Sequence, residues 1–139
     1  MKFWDASAIV ALLVSEPAKE RLITMLDEDP DVLVWWGTPV EIASALAGRE
    51  RDGLLSADEV STALGAAREM AESWHEIVPS EAIRRTAERL LRVHPLRAAD
   101  SLQLAAALVA ADYDPAELPI VCLDERLTQS ARREGFTVM

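Results

Sequence analysis

Four carboxylates stand where the chain changes from one kind of pattern to the next: Asp5 in "MKFWDASAIV", Glu41 in "TPVEIASAL", Asp100 in "LRAADSLQL" and Asp124 in "LPIVCLDERL". Asp5 and Asp124 directly follow apolar runs suited to strands, and Glu41 falls in the first helical turn after another such run. In an α/β fold the carboxyl ends of parallel strands share one edge, and sites are built there. Carboxylates gathered at that edge repel one another unless a cation sits among them. Their oxygens suit Mg²⁺ or Mn²⁺, hard ions that keep several waters and often bind substrate phosphate. Each acid also has a plainer use. Asp caps helix N-termini, acids in a first turn meet the positive end of the helix dipole, and Thr38 with Glu41 has the spacing of a capping box. Asp100 differs from the other three, because spacing alone does not bring it to their edge.

Other site chemistry is sparse. His75 and His94 lie far apart and belong to no metal-type spacing. Ser7, Ser101 and Ser130 have no histidine arrangement of the hydrolase kind. The five glycines stand singly, so there is no phosphate-cradling loop. Cys122 is the only cysteine, which excludes a disulfide framework and a cysteine-based zinc site. Basic residues gather in "RRTAERLLRVHPLRA", where Arg84, Arg85, Arg89, Arg92 and Arg97 occur with no carboxylate but Glu88. Arginine suits forked phosphate contacts, so the stretch reads as a weak RNA grip or as a solvated helix face. The formal net charge of −10 argues against a broad nucleic-acid surface but leaves room for a local one.

The elements that must position these residues follow from the patterning. A chain of 139 residues is one domain, able to bury a core without staples. No run approaches the ~18 apolar residues of a membrane span, and a reducing cytoplasm is the expected compartment. A strand is predicted at Lys2–Trp4, a helix from about Ala6 to Val14, and a second helix from near Pro17 to about Leu26. "DVLVWW" reads as a buried strand. A helix opened by Thr38, Pro39 and Glu41 runs to Gly53, and another opens at Ser56 with Glu59 and carries its apolar stripe to Trp74. A strand near Glu76–Val78, helices at Ser80–Arg92 and Ala98–Ala111, the strand "LPIVCLD", a helix closed by Gly135 and a last strand "FTV" complete the chain. Strands separated by helices of ten or more residues pair in parallel. The expected architecture is therefore five short parallel strands with helices on both faces. Trp35, Trp36 and Trp74 are expected in the core or at its edge.

"FWDASAIVALL", "TPVEIASAL", "LRAADSLQLAAAL" and "VCLDERLTQSARREGFTV" resemble, in this order, the four motif blocks of PIN-domain nucleases. The closest likeness is to the VapC-type toxins of bacterial toxin–antitoxin pairs, and it spans the chain from Asp5 to the last strand. The resemblance implies a PIN-like three-layer α/β/α sandwich around a five-stranded parallel sheet. It also implies that Asp100 joins Asp5, Glu41 and Asp124 in one acidic metal site, with Ser7 helping to order it. Asp5, Glu41 and Asp100 would bind metal directly or through water, and Asp124 would complete the pocket or hold the attacking water. Cys122 stands where the family commonly has Thr or Ser, and a thiol is the weaker hydrogen-bond partner.

The activity implied is a Mg²⁺- or Mn²⁺-dependent endoribonuclease leaving 5′-phosphate and 3′-hydroxyl ends, with an antitoxin protein as inhibitor and a homodimer as the assembly. A basic antitoxin side chain would enter the acidic pocket, and an antitoxin helix would lie in a groove near Ala11, Leu12 or Leu46. Three alternatives stay open. One is a PIN-like nuclease that is not a toxin. Another is a phosphoacceptor signalling domain, which needs a Lys near the end of a late strand where this chain has only Lys2 and Lys19. The third is a binding module whose acids merely cap helices.

Overall fold

The computed structural model describes all 139 residues. The elements are β1 (Lys2–Trp4), α1 (Ala6–Leu13), α2 (Lys19–Glu28), β2 (Val32–Trp35), α3 (Thr38–Arg51), α4 (Ala57–Ala71), β3 (His75–Ile77), α5 (Glu81–Val93), α6 (Ala98–Ala110), β4 (Ile120–Val121) and α7 (Glu125–Arg133). The strands pair in parallel in the order β3-β2-β1-β4. From β1 the chain moves outward to β2 and β3, then crosses to β4 on the other side. The strand order thus reverses at the crevice between β1 and β4, where open α/β sheets bind their ligands. No helix is long and apolar enough to cross a membrane.

The sheet has four strands, and the expected fifth is reduced to a single bridge. "FTV" contributes only a parallel bridge between Val138 and Ile120. The cause lies in β4, which is just two residues long and offers no ladder for a neighbour to extend.

Strand side chains alternate between two cores, as the period of two requires. Phe3, Leu33, Trp35 and Ile120 face a core closed by α5, α6 and α7. Trp4, Val32, Val34 and Val121 face a second, closed by α1, α3 and α4, with Leu22 of α2. Helices therefore cover both faces of the sheet, giving three layers.

Local signals mostly explain where the helices begin. The capping box of α4 forms: Glu59 N–H donates to Ser56 Oγ at 3.1 Å and Ser56 N–H donates to Glu59 Oε1 at 3.0 Å. The similar spacing at α3 does not produce one. There Gly37 is the N-cap and Thr38, fully buried, is already helical with no capping bond. Trp36 is also a correction, being 55% exposed while Trp35 and Trp74 are buried. So are Leu12 and Leu46, which are buried in the core and line no groove.

Helix α6 buries a continuous run, Leu104, Ala105, Ala106, Ala107 and Leu108. Its run of alanines lets neighbours approach closely and leaves no room for larger groups. Ala106→Leu should therefore cost about 1–3 kcal/mol by overpacking, read as a lowered midpoint in chemical denaturation.

Candidate active site

Asp5 leaves β1 with its backbone N–H donated to Val121 O at 3.0 Å, which fixes it beside the end of β4. Its side chain is buried, and Oδ2 caps α1 by accepting the Ser7 N–H at 3.0 Å. The same oxygen accepts the Ser7 hydroxyl and lies 3.6 Å from the Cys122 thiol. The Ser7 hydroxyl in turn accepts the backbone N–H groups of Leu123 at 3.0 Å and Asp124 at 3.2 Å. One small side chain thus ties the start of α1 to the turn that carries Asp124.

Each remaining acid is also held by one oxygen. Asp124 Oδ1 caps α7 by accepting the Leu127 N–H at 2.7 Å. Asp100 Oδ2 accepts the Arg97 N–H at 3.3 Å at the start of α6. Glu41 caps nothing. Its Oε1 accepts Gln103 Nε2 at 3.1 Å, and that amide also donates to Thr38 Oγ1 at 3.2 Å. The other oxygen of every one of these carboxylates makes no hydrogen bond within the protein. All four acids, with Ser7, line one cleft of about 440 Å³. A neighbouring cleft of about 740 Å³ shares Glu41, Asp100 and Asp124 and continues to Arg97 and Arg126.

Burial, and after it the crowding of like charge, shows in the proton affinities. Burial pushes Glu41 up to about 7, with the charge of Asp5 next and Asp100 adding less, while the Gln103 bond opposes. Asp5 is raised, chiefly by burial, against its bonds from Ser7 and Cys122 and with a small push from Asp124. Asp100 is raised by burial, the Asp124 charge adding to it and the backbone bond and charges of Arg97 and Arg126 opposing. Cys122 is pushed up to about 12 by burial and the Asp5 charge, so the thiol stays protonated and able to donate.

The donor set is all oxygen, as a hard cation requires. No three of the acidic, histidine or cysteine side chains are close enough to clasp an ion directly. The arrangement suits a hydrated ion such as Mg²⁺, which dehydrates reluctantly and is commonly held through some of its waters.

The five arginines singled out by the sequence do not act as one group. Arg84 and Arg85 both pair with Glu81, at 2.7 and 3.3 Å, as neighbours three and four residues along α5. Arg89 pairs with Glu134 at 2.8 Å, and Glu134 also binds His94 Nε2 at 2.6 Å. Arg92 is exposed on α5. Arg97 is the one that borders the acids. Sequence reasoning missed Arg126 and Gln103. The signal for Gln103 was available, since it is the one polar side chain within the apolar run "LQLAAALVA" and lies one turn beyond Asp100.

Glu41 yields a pH-dependent prediction for the metal-free protein. A carboxyl that titrates near 7 when folded and near 4.5 when unfolded stabilises the fold below about pH 4.5, and that stability is lost as pH rises through 7. Glu41→Gln lacks this loss. The variant should gain on the order of 1 kcal/mol over the native chain at pH 8, discounted for partial exposure, and little at pH 4.5. Urea denaturation at the two pH values in the presence of a chelator measures the difference.

No family model matches the chain. The chain is similar to ribonuclease VapC45 of Mycobacterium tuberculosis, with 30% identity over 98% of this chain and 92% of that protein. Among solved structures it is similar to FitAcB from Neisseria gonorrhoeae, with a TM-score of 0.67 and 18% identity over 100% of this chain and 96% of that one. It is also similar to a chain of a toxin–antitoxin complex from Klebsiella pneumoniae, with a TM-score of 0.61 and 14% identity over 89% and 87% of the two chains. The structural likenesses speak for the fold. The identity to VapC45, sustained along nearly the whole of both chains, carries the assignment: this chain belongs to the VapC ribonuclease family.

Proposed function

We propose that this chain is a Mg²⁺- or Mn²⁺-dependent endoribonuclease, the toxin of a toxin–antitoxin pair. The observation that carries the reading is the division of each carboxylate at the cleft, one oxygen held by the protein and the other left free. Capping alone does not explain why four such acids line the same space. Family membership with a ribonuclease and structural likeness to toxin–antitoxin proteins support the same conclusion.

Asp5, Glu41 and Asp100 would hold the ion largely through its waters, and Asp124 would complete the pocket. A divalent ion bound there supplies Lewis acidity toward the phosphodiester and acidifies water. The protein's own part is positioning. Ser7 and Cys122 fix the Asp5 carboxylate, Gln103 fixes Glu41, and helix N-terminal N–H groups fix Asp100 and Asp124. With Glu41 titrating near 7 in the absence of a cation, a proton and a metal compete for the same carboxylate.

The antitoxin would exploit the same charge. An Arg or Lys entering the cleft would pair with the free oxygens and exclude the ion. Beside the acids, and sharing Glu16 and Arg49 with their cleft, lies a groove of about 720 Å³ with Leu13, Val14, Leu54 and Leu55 among its walls. Its apolar walls suit an amphipathic helix; of the residues expected beside such a groove, Ala11 lines the acidic cleft and Leu12 and Leu46 are buried.

Substitutions that keep the caps separate the capping and metal readings, since Asn caps about as well as Asp. Asp5→Asn and Asp100→Asn should fold normally. Their metal-dependent RNA cleavage should fall by more than the roughly 10–100-fold that an outer-shell change costs a metal site. Full activity in both variants, measured on purified protein with Mg²⁺ or Mn²⁺, would remove the site assignment. Expression of the chain alone should arrest growth, and co-expression of the protein encoded beside it should relieve the arrest; harmless accumulation of folded protein contradicts the toxin reading.

A further inference from the structure

We propose that the cleft between the N-termini of α6 and α7 is a phosphate subsite for the RNA strand, gripped by Arg97 and Arg126, next to the linkage that is cut. The proposal rests on the nuclease reading and names where its substrate lies. The cleft measures about 740 Å³ and is predominantly polar, with Ser44 and Gln129 in its wall beside the arginines. It is continuous with the acidic cleft, because Glu41, Asp100 and Asp124 line both. A strand whose reacting phosphate lies over the acids therefore has an adjoining channel wide enough for its neighbouring nucleotide.

The state of the cations gives the channel its direction. Arg97 and Arg126 are exposed and neither is in an ion pair, although acids surround them. Both line the same cleft as Asp100 and Asp124, so both guanidinium groups border the acids. On the opposite flank Arg49 is already paired with Glu16 at 3.2 Å, and Lys19 stands there with Asp58 and Glu59. The α6–α7 side thus offers two unpaired guanidinium forks to a phosphate, where the other side offers one lysine among three carboxylates. Arginine's planar fork also matches phosphate oxygens two at a time. In α5, Arg84, Arg85 and Arg89 fail this test because they spend their charge on Glu81 and Glu134, and Arg92 borders neither cleft.

The test is a salt titration of binding. A fluorescent single-stranded RNA of mixed sequence is bound to the full chain in chelator, with affinity read by anisotropy across ionic strength. On a single strand, removing one side chain that neutralises a phosphate lowers the log–log slope by about 0.7. Arg97→Gln and Arg126→Gln should each flatten the slope by about that amount and the double variant by about 1.4. Arg21→Gln, an exposed arginine on α2 away from both clefts, should leave it unchanged. In cleavage assays the double variant should raise KM several-fold while kcat stays within about twofold, as expected for uniform binding. A native slope in the folded double variant, with cleavage still abolished by Asp5→Asn, overturns the subsite and keeps the nuclease. A flattened slope in a chain that cleaves nothing upholds the subsite and overturns the nuclease. Absence of any salt-sensitive RNA binding by the native chain overturns the subsite, and the nuclease reading then stands or falls on metal-dependent cleavage alone.

Discussion

Repulsion among Asp5, Glu41, Asp100 and Asp124 is the constraint that the rest of the structure has to satisfy. Side chains free to move would separate; here the backbone forbids it. Asp5 is fixed as the residue after β1 by its bond to Val121, and Ser7 draws the Asp124 turn against it. Burial, with the repulsion adding to it, raises the proton affinity of Glu41, Asp5 and Asp100. A shift of the size seen at Glu41 amounts to a few kcal/mol at most, about what the burial of one or two large apolar side chains contributes. Two cores of 18 buried residues each, one on either face of the sheet, are ample to hold such a site together.

Capping and site formation are commonly posed as rival explanations for an acid at a helix start. Here they are the same device. When one oxygen of Asp5 or Asp124 accepts a helix N–H, the carboxylate loses its rotational freedom, and the second oxygen is left in a fixed place at the cleft. A rigid element then does the work that a flexible side chain on a loop could not. Glu41 is the exception and explains why. One methylene longer and beginning a helix whose Thr38 is buried, it has no cap to make, so its orientation depends on Gln103 reaching across from α6.

This difference also separates what the sequence made legible from what it did not. Asp5, Asp124 and the β-α turns that carry them are local features, readable from strand-like runs broken by an acid. The capping box at Ser56 and Glu59 is equally local, and it forms. The identical spacing at Thr38 and Glu41 misleads because burial of Thr38 overrides it, and burial is decided by the sheet and α6. The position of Asp100 is a matter of how α6 packs, which no spacing encodes; resemblance to a family supplied it. Strand count failed for a related reason. "FTV" has the composition of a strand, but a strand exists only where its neighbour offers a ladder, and β4 offers one bridge. The arginine stretch conceals a division, since Glu81 and Glu134, which pair with Arg84, Arg85 and Arg89, lie outside it.

Net charge is for the same reason a poor guide to what an acidic chain can bind. A total of −10 describes the field far from the molecule, yet at physiological ionic strength charges more than about 8 Å apart are largely screened in solvent. What a phosphate meets at the surface is the nearest few side chains and whether they are already paired. Arg84, Arg85, Arg89 and Arg49 count toward the total but present little positive charge, because each holds an acid at hydrogen-bonding distance. Arg97 and Arg126 count the same and present nearly all of theirs, next to carboxylates whose own repulsion is relieved by any cation that enters. The fold thus places unspent positive charge beside uncompensated negative charge, across a single continuous cleft. That juxtaposition, rather than the sign of the whole chain, is what matches a metal ion bound to an anionic strand.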